Sequence, residues 1–339
     1  MSRSILLVLP LVVVGIVASR AEFMSVRAAS RGVLLVANKG DQALGIIDPD
    51  SGKQVATVPE GGTTGHEVIA SPDGRLAYIP IYGNSGVGKP GTDGNNLVVV
   101  DIASRKVVGN VDFGHGIRPH CPMFSPKDGL LYVTTEIDNS VTAIDPHTLK
   151  IVGSIPTGNP ESHMLAITHD GHYGYTANVG SGTVSVLDME SRKKIDVISV
   201  ASVVQRISLS VDDRLVFTSD QTKPQLAVID TRTRKVSKWI PLPASGYGTA
   251  PTPDGKWLVI AIPSTKQVAV VNLKTMKVDH TIEVPASPQE VLVRPDGAVA
   301  YVSCDASHKV AEIRTSDWSV ARLIDAGAGV DGLAWARQP

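Results

Sequence analysis

Short apolar runs and polar turns alternate along the chain from Arg31 to its end. The runs are rich in β-branched and aromatic residues, and the turns between them hold Gly, Asp, Asn or Pro. This composition is typical of β-strands and their connecting turns. Beyond residue 30 no stretch shows the apolar spacing of an amphipathic helix. The pattern therefore predicts an all-β protein.

The apolar pattern repeats seven times. In each copy one apolar strand ends, at aspartate in the first five, and a return strand begins. The last two copies have Asn272 and Arg314 at that position. The copies are GIIDPDSGKQVATV (45–58), VVVDIASRKVVGNV (98–111), TAIDPHTLKIVGSI (142–155), SVLDMESRKKIDVI (185–198), AVIDTRTRKVSKWI (227–240), AVVNLKTMKVDHTI (269–282) and AEIRTSDWSVARLI (311–324). Two further strands precede most copies, so each repeat of about 42 residues holds four strands. Repeats of this length and content predict a seven-bladed β-propeller with four antiparallel strands per blade.

The two ends of the chain each hold part of a repeat. The first repeat, from Arg31, lacks an inner strand, and the final segment DGLAWARQP (331–339) is an inner strand with nothing after it. We expect the C-terminal strand to join the N-terminal blade and close the ring, which removes free sheet edges. Residues 31–339 then form a single domain. The first repeat is longer and adds an extension at 81–96. We interpret it as a flexible hairpin, with a role as a lid or a partner-contact loop as the alternative.

The N-terminal segment resembles a secretory signal peptide. Arg3 precedes an unbroken apolar run from Ile5 to Val17, which is too short to cross a bilayer, and Ser19 and Ala21 fit a cleavage site. We expect residues 1–21 to be removed, residues 22–30 to form a short leader, and the mature chain to be periplasmic or secreted without a membrane span.

The charge and composition of the chain limit the classes of partner that it is expected to bind. Loss of residues 1–21 removes two arginines and no acid, so the formal charge changes from −1 to −3. A mildly acidic chain without a basic run, and with 4% aromatic residues, is not expected to bind nucleic acid. Cys121 and Cys304 fall in repeats that should not touch, so we expect them to be unpaired and buried. We predict a monomer with a small-molecule partner or a periplasmic or cell-surface protein partner.

Several motifs resemble those of the YVTN family of β-propellers. These are SPDG (71–74), YVTT (132–135), YTAN (175–178) and YVSC (301–304). The resemblance extends from Arg31 to Pro339 and implies the propeller fold. The family includes YncE-like exported proteins, surface-layer proteins, the propellers of haem-dependent nitrite reductases and amine dehydrogenases, and a lactonase branch. It therefore implies no single reaction for this chain.

The residues that open the inner strands are the first candidates for chemistry, because they line the mouth of the central channel. In ring order they are Asp331, His66, His120, His163, Gln205, Gly248 and Gln289. Three histidines on consecutive blades, next to Asp331 after ring closure, could bind Zn²⁺ or Cu²⁺. The alternative is structural, because histidines at a repeated position can bond the backbone of a neighbouring blade. No residue is predicted to bind an organic cofactor.

Charged residues within two positions of these are further candidates for catalysis or anion binding, beside Asp331 itself. They are Arg118, Glu161, Arg206 and Glu290, with inter-blade salt bridges as the alternative role. The leading hypothesis is an exported platform that binds a ligand, metal or partner over the channel face. The alternative is a metal-dependent lactonase or lyase that uses the arc of His66, His120 and His163. In that enzyme Asp331 or Glu161 would be the base, and Arg118 or Arg206 would stabilise an anion.

Overall fold

The computed structural model describes residues 31–84 and 86–338, which form seven four-stranded antiparallel sheets arranged in a ring. This arrangement confirms the predicted seven-bladed β-propeller. The predicted signal peptide (1–21) and leader (22–30) lie outside the described residues, and export remains a prediction.

The strands are numbered in chain order, and blade 1 takes its inner strand from the C-terminus. Blade 1 holds β1 (Gly32–Asn38), β2 (Ala43–Asp48), β3 (Lys53–Pro59) and β28 (Val330–Arg337). Blade 2 holds β4 (Ile69–Ala70), β5 (Leu76–Gly83), β6 (Asp93–Asp101) and β7 (Lys106–Asp112). Blade 3 holds β8 (Pro119–Phe124), β9 (Leu131–Thr135), β10 (Ser140–Asp145) and β11 (Lys150–Pro156). Blade 4 holds β12 (Ser162–Ile167), β13 (Tyr173–Asn178), β14 (Thr183–Asp188) and β15 (Lys193–Ser199).

The last three blades follow the same order. Blade 5 holds β16 (Ser208–Leu209), β17 (Leu215–Asp220), β18 (Gln225–Asp230) and β19 (Lys235–Pro241). Blade 6 holds β20 (Thr249–Pro251), β21 (Trp257–Ile262), β22 (Gln267–Asn272) and β23 (Lys277–Glu283). Blade 7 holds β24 (Pro288–Val293), β25 (Val299–Cys304), β26 (Lys309–Arg314) and β27 (Ser319–Asp325). Single 3-10 turns lie at Lys39–Asp41, Pro263–Thr265 and Asp305–Ser307.

The ring closes through blade 1, as predicted. β28 pairs antiparallel with β1, with Gly32 opposite Arg337 and Leu34 opposite Trp335. Apolar side chains then pack between each blade and the next around the ring. At the closure, Leu34 and Val36 of blade 1 pack with Tyr301 of blade 7 in one of these clusters. Closure therefore joins the chain ends both by a sheet ladder and by buried apolar contact.

The turn at Gly74 makes close contact with the closing strand. Gly74 has φ +72°, and a Cβ there would overlap the carbonyl oxygen of Arg337 on β28. Gly129 has φ +71° in the equivalent turn of blade 3, with open space around it. We expect Gly129→Ala to cost about 1 kcal/mol for the left-handed backbone alone. Gly74→Ala should cost at least about 1 kcal/mol more, because β28 has to shift. Equal melting temperatures for the two variants would contradict this contact.

The two cysteines have the unpaired, buried state that the sequence predicts. Cys121 and Cys304 are both free and buried. The six histidines outside the mouth are exposed, namely His115, His147, His169, His172, His280 and His308. Across residues 31–84 and 86–338 the structure has no helix with the length and apolarity needed to cross a membrane.

Candidate functional site

The channel mouth is the end of the ring where the inner strands begin. Strand register places two residues from each blade there, one that opens the inner strand and one that directly follows the second strand. In blade 3 Pro119 pairs with Thr135, so His120 and Glu136 are these two residues. In blade 1 Val330 pairs with Asn38, so Asp331 and Lys39 are the equivalent pair. Each blade thus places two residues at the mouth, and in blade 6 one of them is Gly248, which has no side chain.

Backbone irregularity directs the inner-strand residues into the channel. The pairing of β8 with β9 shifts register between Pro119 and Pro122, and that of β12 with β13 shifts between Ser162 and Met164. Such bulges re-aim a side chain and are common beside functional sites. The buried Thr134 hydroxyl accepts a hydrogen bond from the Cys121 N–H (2.8 Å) and donates one to the His163 carbonyl (2.7 Å). This bridge fixes blade 3 against blade 4 at the position of the two histidines.

The three mouth histidines lie side by side. The ring centroids of His120 and His163 are 3.6 Å apart, and those of His66 and His120 are 5.6 Å apart. Tyr82, from β5, packs between them with its ring centroid 4.6 Å from that of His66 and 5.2 Å from that of His120. The sequence-predicted arc therefore exists as a contiguous cluster of imidazoles. His120 and His163 are buried in it, whereas His66 is half-buried.

His163 forms a buried dyad with Glu136. One carboxylate oxygen of Glu136 accepts the hydrogen bond from His163 Nδ1, and the other accepts a 2.7 Å bond from the Tyr82 hydroxyl. The remaining ring nitrogen, Nε2, lies 3.2 Å from the side-chain amide nitrogen of Gln205. That amide also donates to the Tyr247 hydroxyl at 2.8 Å. With Nδ1 protonated, Nε2 is the acceptor, so the unprotonated nitrogen of His163 points away from Glu136.

The two other imidazoles are held neutral. Burial lowers the pKa of His66 to about 4, and the neighbouring Asp331 only partly offsets this effect. Burial and the adjacent imidazoles lower the pKa of His120 well below its usual value. Nδ1 of His120 is buried and has no hydrogen-bond partner among the described residues. Burial and the Glu136 carboxylate raise the pKa of Tyr82, so its hydroxyl remains a donor.

A salt-bridge network closes the channel behind the arc. Arg206 of blade 5 reaches across the channel to Glu67 of blade 2 (2.5 Å), Glu290 of blade 7 (2.5 Å) and Asp331 of blade 1 (3.1 Å). Lys39 adds a second cation, 3.0 Å from Asp331. Because Arg206 is almost fully buried, its guanidinium forms a polar plug in the channel.

The carboxyl groups of the plug differ in their proton affinity. Burial raises the pKa of Glu67 to about 8, against the opposing effect of Arg206. Burial also raises the pKa of Glu290. Asp331 has a lowered pKa even though burial opposes this, because Lys39 and Arg206 stabilise its charged form. The network therefore holds Asp331 as the ionised acid and keeps a proton on the Glu67 side near neutral pH.

Two of the predicted catalytic residues contact the blade 2 extension. The buried Arg118 donates to the Asp93 carboxylate (2.5 Å) and to the Lys89 carbonyl (2.7 Å). The Glu161 carboxylate lies against Gly88. The extension therefore runs from blade 2 to the residues that directly precede β8 in blade 3 and β12 in blade 4. Arg206 and Asp331 belong to the plug. No side chain of these four residues hydrogen-bonds the side chain of Glu136 or His163, although the Arg118 carbonyl accepts the Glu136 backbone N–H at 3.3 Å.

The predicted metal site has the following geometry. His120 and His163 are stacked with 31° between their planes, and Glu136 occupies one nitrogen of His163. Within residues 31–84 and 86–338 no group of three His, Cys, Asp or Glu side chains is arranged to hold a metal ion. Zinc or copper binding by His66, His120 and His163 stays a prediction.

Sequence reasoning missed Glu136, Tyr82 and Lys39. Lys39 and Glu136 directly follow β1 and β9, and Tyr82 is the equivalent residue near the end of β5, because Ile81 pairs with Gly65 just before His66. The signal was present in the repeat, because Glu136 is the first residue after the YVTT strand. Listing this second position in each repeat would have placed all three residues at the mouth.

Glu60 supports the loop that delivers His66. It is buried, and one carboxylate oxygen accepts the Gly65 N–H at 2.9 Å. Burial raises its pKa to about 7 from 4.5, so the unfolded chain loses this proton at lower pH than the folded chain does. This residue's contribution to stability is complete below pH 4.5 and is lost as the pH rises to about 7. We expect Glu60→Gln to gain stability relative to wild type across that window, measured by urea unfolding at pH 4, 6 and 8. A constant difference between the two proteins would contradict a buried, protonated Glu60.

A family model for seven-bladed β-propeller lactonases matches residues 49–238, more than half of the chain. The chain belongs to this family. The narrower YVTN and YncE-like assignment remains a prediction. Within the lactonase propeller family, a curated relative is 6-phosphogluconolactonase from Bacillus subtilis (strain 168), 30% identical over 117 residues. The match covers 28% of this chain and 34% of that protein, so the chain spans about a third of the length of this relative.

Solved structures share the fold of this lactonase-family chain. A chain of Kuenenia stuttgartiensis hydrazine synthase superposes with a TM-score of 0.73 at 20% identity, covering 84% of this chain and 93% of that one. The dihydro-haem d1 dehydrogenase NirN in complex with DHE superposes with a TM-score of 0.65 at 15% identity, covering 89% of this chain and 74% of that one. At these identities the likeness is one of architecture.

Proposed function

We propose that this chain hydrolyses a small lactone at the channel mouth, with His163 as general base and Glu136 as the residue that orients it. The observation that carries the proposal is the buried Glu136–His163 dyad, whose Nε2 is directed towards the half-buried Gln205. Membership of the lactonase family and the partial match to a phosphogluconolactonase support this class of reaction.

The reaction needs a proton acceptor beside a water molecule. In the proposed step His163 Nε2 accepts a proton from water while the water oxygen attacks the lactone carbonyl carbon. The ring C–O bond then breaks, and the leaving oxygen takes the proton back from the imidazolium, which yields a hydroxy acid. Glu136 holds the ring orientation and stabilises the transient imidazolium. Displacement of the Gln205 amide from Nε2 makes room for the water, and the Gln205 and Tyr247 donors lie next to it.

The first experiment measures acid release from a panel of five- and six-membered lactones by the purified chain at pH 7, with and without EDTA. The dyad mechanism predicts a rate above spontaneous hydrolysis that EDTA does not change. A rate lost with EDTA and restored by Zn²⁺ would instead support the metal-dependent alternative with His66, His120 and His163. No rate above the spontaneous one for any lactone would contradict the proposal.

A binding platform without turnover is the second candidate. The observation that favours it is the Arg206 plug, which closes the channel and leaves a polar surface of half-buried groups at its mouth. This candidate predicts that a ligand raises the melting temperature without being consumed. An exported chain would carry out either function outside the cytoplasm.

A further inference from the structure

We infer that the lactone taken by this mouth is an uncharged polyol, and that a phosphorylated lactone is a poor substrate. This inference rests on the proposed function and narrows its substrate class. It concerns the charges that surround the dyad and the neutral groups left to bind a ligand.

The cations that contact the mouth residues are already engaged with acceptors of the protein. Arg206 bonds three carboxylates, and Lys39 bonds Asp331 at 3.0 Å and Asp305 at 3.2 Å. Arg118 is bonded to Asp93 and to the Lys89 carbonyl. A phosphate group is bound by arginine or lysine donors. Here it would have to break buried salt bridges to obtain them.

Acidic side chains outnumber these three cations in the same region. They are Glu67, Asp93, Glu136, Asp305, Glu290 and Asp331. Burial raises the pKa of Glu67 and of Glu290. Even if Glu67 and Glu290 are both protonated, four carboxylates of this set remain, against the three cations. The mouth therefore keeps a surplus of negative charge, and a phosphate dianion placed there would meet like charge, which costs several kcal/mol at close range.

The polar groups at the mouth that are not part of an ion pair are neutral. Gln205 and Gln289 are half-buried amides, Tyr247 offers a hydroxyl, and His66 is an uncharged imidazole. Amides, hydroxyls and neutral imidazoles donate and accept hydrogen bonds, which matches the hydroxyl groups of a sugar-derived lactone. The surplus negative charge would also repel the carboxylate product and favour its release.

The test compares glucono-1,5-lactone with its 6-phosphate as substrates of the wild-type chain. We expect kcat/KM for the neutral lactone to exceed that for the phosphate ester by at least about 10-fold, with the ratio falling as salt screens the repulsion. Asp305→Asn leaves Lys39 less neutralised and should raise kcat/KM for the phosphate ester several-fold relative to the neutral lactone. The exposed Asp50→Asn on the outer turn of blade 1 should leave the ratio unchanged.

The outcomes separate this inference from the proposed function. Equal or better hydrolysis of the phosphate ester would overturn the inference and leave the lactonase proposal standing. If neither these two compounds nor any other lactone of the panel is hydrolysed, the lactonase proposal fails. Calorimetric binding of the corresponding neutral lactam and its 6-phosphate then decides the inference alone: tighter binding of the neutral ring supports it, and equal or weaker binding overturns it.

Discussion

Replacing Arg206 by methionine is expected to lower the free energy of unfolding at pH 7 by at least about 3 kcal/mol. The guanidinium bonds Glu67, Glu290 and Asp331, each on a different blade. Its loss leaves three carboxyl groups, buried or half-buried, without their shared cation. The destabilisation should be smaller at pH 5, because Glu290 and Asp331 then take up protons more readily, whereas Glu67 already holds one near pH 7. Urea unfolding at both pH values measures the effect.

A matched control uses an exposed arginine. Arg214 lies 3.7 Å from Asp212 on the surface, and Arg214→Met should change stability by less than about 0.5 kcal/mol. A second variant, Arg206→Met with Glu290→Gln, removes one of the carboxylates left without a partner. It should recover part of the loss. The plug account is wrong if Arg206→Met and Arg214→Met are equally stable.

The second large effect concerns catalysis by His163. We expect His163→Gln to lower kcat/KM for a hydrolysed lactone by about 10²- to 10⁴-fold, the usual contribution of a general base. Glutamine cannot accept the proton that Nε2 takes from water. Initial rates of acid release measure the effect.

The control for His163 is His172→Gln, which alters an exposed histidine in the turn before β13 of the same blade. Its activity should equal that of wild type. A circular dichroism spectrum and melting curve for each variant separate loss of chemistry from loss of fold. Full activity in a folded His163→Gln protein would remove this residue from the mechanism.

The fold could be predicted almost completely because each blade carries its own local signals. Turn residues such as Gly74 and Gly129 recur at one repeat position, and the apolar runs between them have strand character. Ring closure followed from the incomplete repeats at the two ends, and the pairing of β28 with β1 has that arrangement. Both inferences use repeated, local information, which a single sequence contains.

The sequence predicted only those residues of the site that occupy one shared position of the repeat. His66, His120 and His163 share one repeat position, so their proximity could be expected, and they lie together. The partner of His163 was missed, although Glu136 occupies a repeat position of its own beside it. Identical positions on adjacent blades predict neighbours, but the rotation of each ring and the choice of hydrogen-bond partner depend on side-chain packing.

The contacts of the plug could not be predicted from the sequence, for a different reason. Arg206 joins blade 5 to blades 1, 2 and 7, and those contacts cross the ring instead of following it. Reach across a channel depends on its width and on side-chain conformation, which a repeat pattern does not specify. The proton affinities of Glu67 and Asp331 differ for the same reason, because each depends on burial and on nearby cations.

The central claim is that Glu136 and His163 act as one catalytic unit, and a double-variant cycle tests it most directly. The measurement is kcat/KM for lactone hydrolysis by wild type, Glu136→Gln, His163→Gln and the double variant. Residues that act together are not additive, so we predict that each single variant loses activity and that the double variant is no worse than His163→Gln alone. Losses that multiply in the double variant, or an unimpaired Glu136→Gln protein, would contradict the claim.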